Sequence, residues 1–109
     1  MNDFKKSQRL LTAHDYKHVF DAAQKVSNNH FICLYRLNSF GYARLGLAIS
    51  KKIIAKSHDR NKIKRLVREA FRNTKTLPAV DIVVLIKMDI ANIASYILTN
   101  ELIQLWATI

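Results

Sequence analysis

The chain has 109 residues, 18 of them Lys or Arg and 8 Asp or Glu, for a formal net charge of +10. That length suits a single domain spanning residues 1–109, with a core that needs no disulfide or metal staple, and the one cysteine, Cys33, cannot form an internal bridge. Half the residues are apolar with only two Gly and one Pro, which excludes a disordered or linker-rich chain; no apolar run reaches the roughly 18 residues of a membrane span and no signal-peptide core follows Met1, so a soluble cytoplasmic protein is expected.

The charge is unevenly spread. Residues 51–75 carry ten bases against Asp59 and Glu69, whereas residues 76–109 are net acidic. A localised anion-binding surface follows, and a polyanion is the first candidate partner.

In chain order, residues 1–9 with Lys5, Lys6 and Arg9 read as a flexible or loosely docked basic arm. Thr12 followed three residues later by Asp15 resembles a capping box, and Tyr16, Val19, Phe20 and Ala23 recur at helical spacing, predicting a helix over about 12–23 that Ser27-Asn28-Asn29 breaks. Phe31 to Leu37 and Ala43 to Ser50 read as two strands of a hairpin turning at Phe40-Gly41-Tyr42. In the second strand Leu45, Leu47 and Ile49 share one face, while Arg44, Gly46, Ala48 and Ser50 share the other, because strand side chains alternate. That small-residue face fits either a packed helix or the floor of a ligand groove.

Ser57 or Asp59 can cap the next helix, in which Ile63, Leu66, Val67, Ala70 and Phe71 form one apolar stripe. Arg60, Lys64, Arg65, Arg68 and Arg72 occupy its other faces, with Glu69 spaced to pair with both Arg65 and Arg72. Asp81 to Ile86 reads as a strand covered on both faces, and Leu98, Leu102, Leu105 and Trp106 predict a last helix over about 94–108. The pattern is that of a single α/β layer sandwich.

Chemistry of the chain's own is not expected. His14 and His18 have a chelating i, i+4 spacing but no recognisable third ligand, so surface histidines are the better account and no metal site is assigned. No carboxylate pair is placed for hydrolysis, Cys33 sits in an apolar strand, and no Gly-rich phosphate loop exists, so no catalytic residue is assigned. The basic helix is different: its apolar stripe is needed to cover the strands, and its Arg-rich remainder suits bidentate phosphate contact, favouring RNA or DNA over a lipid surface.

At this helix the sequence becomes specific. Arg60-Asn61-Lys62-Ile63-Lys64-Arg65-Leu66-Val67-Arg68-Glu69-Ala70-Phe71-Arg72 closely resembles the signature helix of the bacterial ribonuclease P protein family, and Gly46-Leu47-Ala48-Ile49-Ser50-Lys51-Lys52 resembles the strand leading into it. The resemblance extends through Arg9-Leu10, the Asp15 to Phe20 stretch, the Asp81 strand and Leu105-Trp106, covering essentially the whole chain. It implies an α+β fold, a two-layer α/β sandwich of order αβββαβα with a left-handed βαβ crossover. It further implies an accessory subunit that joins a catalytic RNA and assists endonucleolytic removal of the 5′ leader from precursor tRNA, the RNA performing the hydrolysis.

By position, Lys51, Lys52, Arg60, Asn61, Lys62, Lys64, Arg65, Arg68 and Arg72 would form the RNA face, and Tyr16, Phe20, Ala48 and Ser50 would line a cleft for the leader. The partners implied are the catalytic RNA and precursor tRNA, with no membrane and no protein partner required; Mg²⁺ would be required by the RNA, with no cofactor bound by the protein alone. Lys62 stands where the family motif often has Arg, keeping charge but losing the planar fork, and Leu34 stands at an often aromatic strand position. No basic tail follows Ile109, so RNA affinity is expected to lean on residues 51–72. The alternative from another class is a structural RNA-binding protein of the ribosomal or nucleoid type with no role in cleavage.

Overall fold

A computed structural model describes residues 6–109. Residues 1–5 of the expected arm lie outside the described residues, and from Lys6 onward the chain is docked. Lys6–Gln8 makes one 3-10 turn, Arg9 bridges in parallel to Leu45, and buried Leu10 donates its N–H to the Leu45 carbonyl at 2.9 Å. Helix α1, Ala13–Asp21, starts where the capping box predicts: Asp15 N–H donates to Thr12 Oγ1 at 3.1 Å, and the Asp15 carboxylate accepts from Thr12 N–H at 3.3 Å.

Four strands follow in one sheet: β1 (Gln24–Ser27), β2 (Phe31–Leu37), β3 (Arg44–Ala48) and β4 (Val80–Ile86). Their spatial order is β1-β2-β4-β3, with β3 parallel to β4 and the other pairs antiparallel. The hairpin expected between β2 and β3 therefore does not form, because β4 lies between them. Val80, Ile82, Val83 and Val84 of β4 are fully buried, so this strand takes the centre of the sheet, where both its backbone edges find partners.

The hairpin that does form joins β1 to β2 through Asn28, whose Oδ1 accepts from His30 N–H at 3.1 Å and Phe31 N–H at 2.9 Å. The residues expected only to break a helix thus make a turn. β3 also ends at Ala48, two residues early, since the Ser50 carbonyl accepts from the N–H groups of Ile53 and Ile54 and starts a turn.

Alternation on the strands divides the core. Phe31, Cys33, Leu45, Ile82, Val84 and Ile86 face helices α2 (Ser57–Asn73) and α3 (Ser95–Trp106), where Phe71 and Trp106 meet edge to face at 6.0 Å between centroids. The opposite face carries Val83, Leu34, Leu85 and Ala48, and α1 covers it with Val19 and Tyr16. The expected sandwich is thus α2 and α3 on the sheet, with α1 as a partial cover behind.

Neither residue expected to cap α2 does so. The helix begins at Ser57, its N-cap is Lys56, and no side-chain cap bond is made. Among the described residues, no helix is long and apolar enough to cross a membrane.

Candidate nucleic-acid interface

Helix α2 buries the predicted stripe Ile63, Leu66, Val67, Ala70 and Phe71, and this fixes what its other faces present. Asn61, Lys62, Arg65 and Arg68 are exposed, while Arg60, Lys64 and Arg72 are half-buried. Arg65, Arg68, Arg72 and Asn61 line a groove of about 360 Å³ together with Glu69 and Arg9. Arg9 was not assigned to the site from sequence; the Arg9–Leu45 bridge brings it there. Of the two partners expected for Glu69, Arg72 makes the ion pair and, among the described residues, Arg65 does not.

The basic residues do not all point one way. Lys64 and Arg68 lean toward β3 and Tyr16, whereas Lys62 donates to the Ala91 carbonyl at 3.4 Å beside α3. Arg60 turns back, its Nη1 donating to the carbonyls of Ile54 at 2.9 Å and Ala55 at 2.7 Å, so that it braces the segment leading into α2. That segment carries exposed Lys51 and Lys52, the latter donating its N–H to Ser50 Oγ at 3.0 Å.

The expected cleft is only partly assembled. Tyr16, Phe20 and Ala48 share the α1 face of the sheet, but Ser50 sits in the turn beyond β3. Tyr16 lies across Gly46, where a Cβ would stand 2.8 Å from Tyr16 Cε1 and 2.9 Å from Leu10 Cδ1. Its hydroxyl accepts from Leu47 N–H at 3.0 Å and donates to the Leu47 carbonyl at 3.3 Å, satisfying the free edge of β3. Phe20, 46% exposed with its centroid 6.5 Å from that of Tyr16, is the more open ring. Lys64 and Arg68 border the same groove as Tyr16, which joins the cleft to the basic helix.

One charged cluster was not foreseen. Asp81, 2% exposed, accepts two bonds from Arg44, at 2.8 Å from Nε and 2.7 Å from Nη2, and one from Asn38 Nδ2 at 2.9 Å. These bonds to Asp81 raise the pKa of Arg44 despite its partial burial. Partial burial pushes Asp15 up, but the N–H groups of Leu11 and Thr12 and the nearby Arg44 outweigh it and hold that carboxyl below its usual range.

Burial pushes the Cys33 thiol up to about 12, far from a thiolate at neutral pH. His30 Nδ1 meets the Glu101 carboxylate at 2.8 Å, tying the β1–β2 turn to α3. His14 and His18 stand exposed on α1, and among the described residues no three His, Cys, Asp or Glu side chains gather where they could hold a metal ion.

Comparison with known proteins gives a consistent result. The family described as Ribonuclease P matches residues 4–109. The ribonuclease P protein component of Legionella pneumophila (strain Corby) is 52% identical over 94% of this chain and 90% of its own length. That of Aliivibrio fischeri is 45% identical over 95% and 90%, respectively. Among solved structures, the RNase P protein of Staphylococcus aureus superposes with a TM-score of 0.86 at 28% identity, covering 94% of this chain and 95% of that one. The Thermotoga maritima protein gives 0.84 at 32% identity, covering 93% and 96%.

Proposed function

The chain belongs to the ribonuclease P protein family, and on that premise we propose that it is the protein subunit of a bacterial ribonuclease P, binding the catalytic RNA through α2 and the 5′ leader of precursor tRNA beside α1. The observation that carries this reading is the continuity of two surfaces: Lys64 and Arg68 belong to the basic face of α2 and also border the groove of Tyr16. A single strand leaving a folded RNA docked on α2 would enter that groove directly.

The protein's contribution in this reading is electrostatic and positional. Arg65, Arg68, Arg72 and Lys64 screen the repulsion between the phosphates of two RNAs, and the Arg60-braced turn holds Lys51 and Lys52 to the same end. The exposed ring of Phe20 offers a stacking surface to leader bases, with Tyr16 and Ala48 as the wall beneath it. Hydrolysis belongs to the RNA and its bound Mg²⁺; the protein holds no cofactor, needs no protein partner and works in the cytoplasm. A structural RNA-binding role without cleavage is not favoured, given the family.

Reconstitution tests this. Purified protein alone should not cleave precursor tRNA, and adding it to a matching catalytic RNA should restore cleavage at moderate Mg²⁺. Cleavage by the protein alone, or no effect of the protein on the RNA's activity, would overturn the reading.

A further inference from the structure

The loop between β2 and β3 exposes two aromatics that the proposed function does not use. Phe40 is 52% and Tyr42 38% exposed, with ring centroids 6.1 Å apart. The loop is firmly held. Asn38 Oδ1 accepts from Phe40 N–H at 3.0 Å, Asn38 Nδ2 donates to the Tyr42 carbonyl at 3.1 Å, and Gly41 makes the turn with a φ of +83°. Over the Phe40 ring lies the Arg44 guanidinium, 4.1 Å from the ring centroid, itself fixed by both carboxylate oxygens of buried Asp81. A cation held in place by Asp81 thus packs against one aromatic ring, and Phe40 and Arg44 together line an open pocket of about 480 Å³.

The character of that pocket narrows its occupant. Its two arginines, Arg36 and Arg44, are balanced by Asp15 and Asp81, so phosphate is not the group it attracts. An aromatic platform rimmed by His14, His18 and Ser39 suits a planar heteroaromatic ring with polar edges, and RNA bound on the basic α2 face is the source of such rings near this surface. His14 and His18 lie two residues from Tyr16 and Phe20, about half a turn around α1, which sets this pocket apart from the groove described above.

We propose that the Phe40 pocket is a stacking site for one unpaired nucleobase of RNA, a contact additional to the α2 face and the Tyr16 groove; it rests on the reading of the chain as an RNA-binding subunit. The base can belong to the catalytic RNA or to the precursor, and two measurements separate these sources.

The first is the affinity of the protein for the catalytic RNA, and the second the affinity of the assembled holoenzyme for precursor tRNA. Each is made with Phe40→Ala, Phe40→Leu and Phe40→Trp. Phe40→Ala should weaken one of the two about 5- to 100-fold, Phe40→Trp should retain wild-type affinity, and Phe40→Leu should not restore it. Loss in the first assigns the base to the catalytic RNA, and loss in the second to the precursor. Should Phe40→Ala perturb folding, the Leu and Trp variants, which keep an apolar side chain there, decide the matter. Wild-type affinity in both measurements for all three variants, or rescue by Leu equal to that by Trp, overturns the stacking site. Arg68→Ala, run alongside, keeps the two readings apart: if it also binds normally, the failure lies with the RNA-binding subunit itself.

Discussion

Arg65 and Arg68 are both exposed and off the apolar stripe of α2, so Arg65→Ala and Arg68→Ala should leave thermal unfolding nearly unchanged. Each should flatten the salt dependence of catalytic-RNA binding by about one phosphate contact, read as the slope of log K against log salt, and unchanged slopes would remove both from the interface. Arg44 belongs to a different class. With Asp81 buried against it, Arg44→Ala strands a carboxylate out of water and should destabilise the fold by about 3–5 kcal/mol in urea denaturation. The basic positions of α2 were legible as residues because helical periodicity alone separates them from the core. Asp81 was not, since an acid opening an apolar run looks like a strand end; only the register places it opposite Arg36 on β2 and Arg44 on β3.

At the scale of the elements, α1 depends on its cap. Thr12→Ala removes the acceptor for the Asp15 N–H and should lower stability by about 1 kcal/mol. Asp15 adds a pH dependence whose sign follows from its lowered carboxyl. Its bonds stabilise the protein above the ordinary value of 3.8 and are lost as the pH falls through the lower folded value. The stability gap between the wild type and Asp15→Asn should therefore close on acidification below 3.8, and thermal unfolding showing the same gap at pH 7 and at the acid end would assign the effect elsewhere.

The helices were legible because capping pairs and 3.6-residue spacing are local signals, whereas the sheet order was not. β1 has only Val26 partly buried, so it carries no alternation to read, and the choice of β4 over β3 as neighbour of β2 is made by long-range burial. Of the two readings of the small-residue face of β3, packing under a helix is the one seen at Gly46, which leaves room for the Tyr16 ring of α1, and that ring's hydroxyl also closes the edge of the strand.

On the scale of the molecule, the positive charge gathers on α2 and the turn before it, while Tyr16 of α1 lies across β3 with Phe20 beside it, and Lys64 and Arg68 stand where these surfaces meet. Chain position places the assigned residues on α2, its approach and α1, but does not reveal that Arg60 turns back on its own approach, that Lys62 reaches Ala91 or that Ser50 sits in the turn beyond β3; the border between the two surfaces is a product of the parallel β3–α2–β4 connection and could not be read along the sequence. This geometry predicts a pattern across three variants. Arg65→Ala, on the groove with Arg9 and Arg72, should weaken assembly with the catalytic RNA, with little effect on how the assembled holoenzyme prefers precursor over mature tRNA. Phe20→Ala should leave assembly intact and weaken precursor binding by about 1–3 kcal/mol per lost stack, while mature tRNA, which has no leader, binds as before. Arg68→Ala should do both, because its guanidinium borders both grooves. The measurements are three binding constants for each variant: protein with catalytic RNA, holoenzyme with precursor tRNA, and holoenzyme with mature tRNA. If Phe20→Ala weakens precursor and mature tRNA equally, the α1 groove does not hold the leader; if Arg68→Ala affects assembly alone, the leader does not pass over α2 on its way to Phe20.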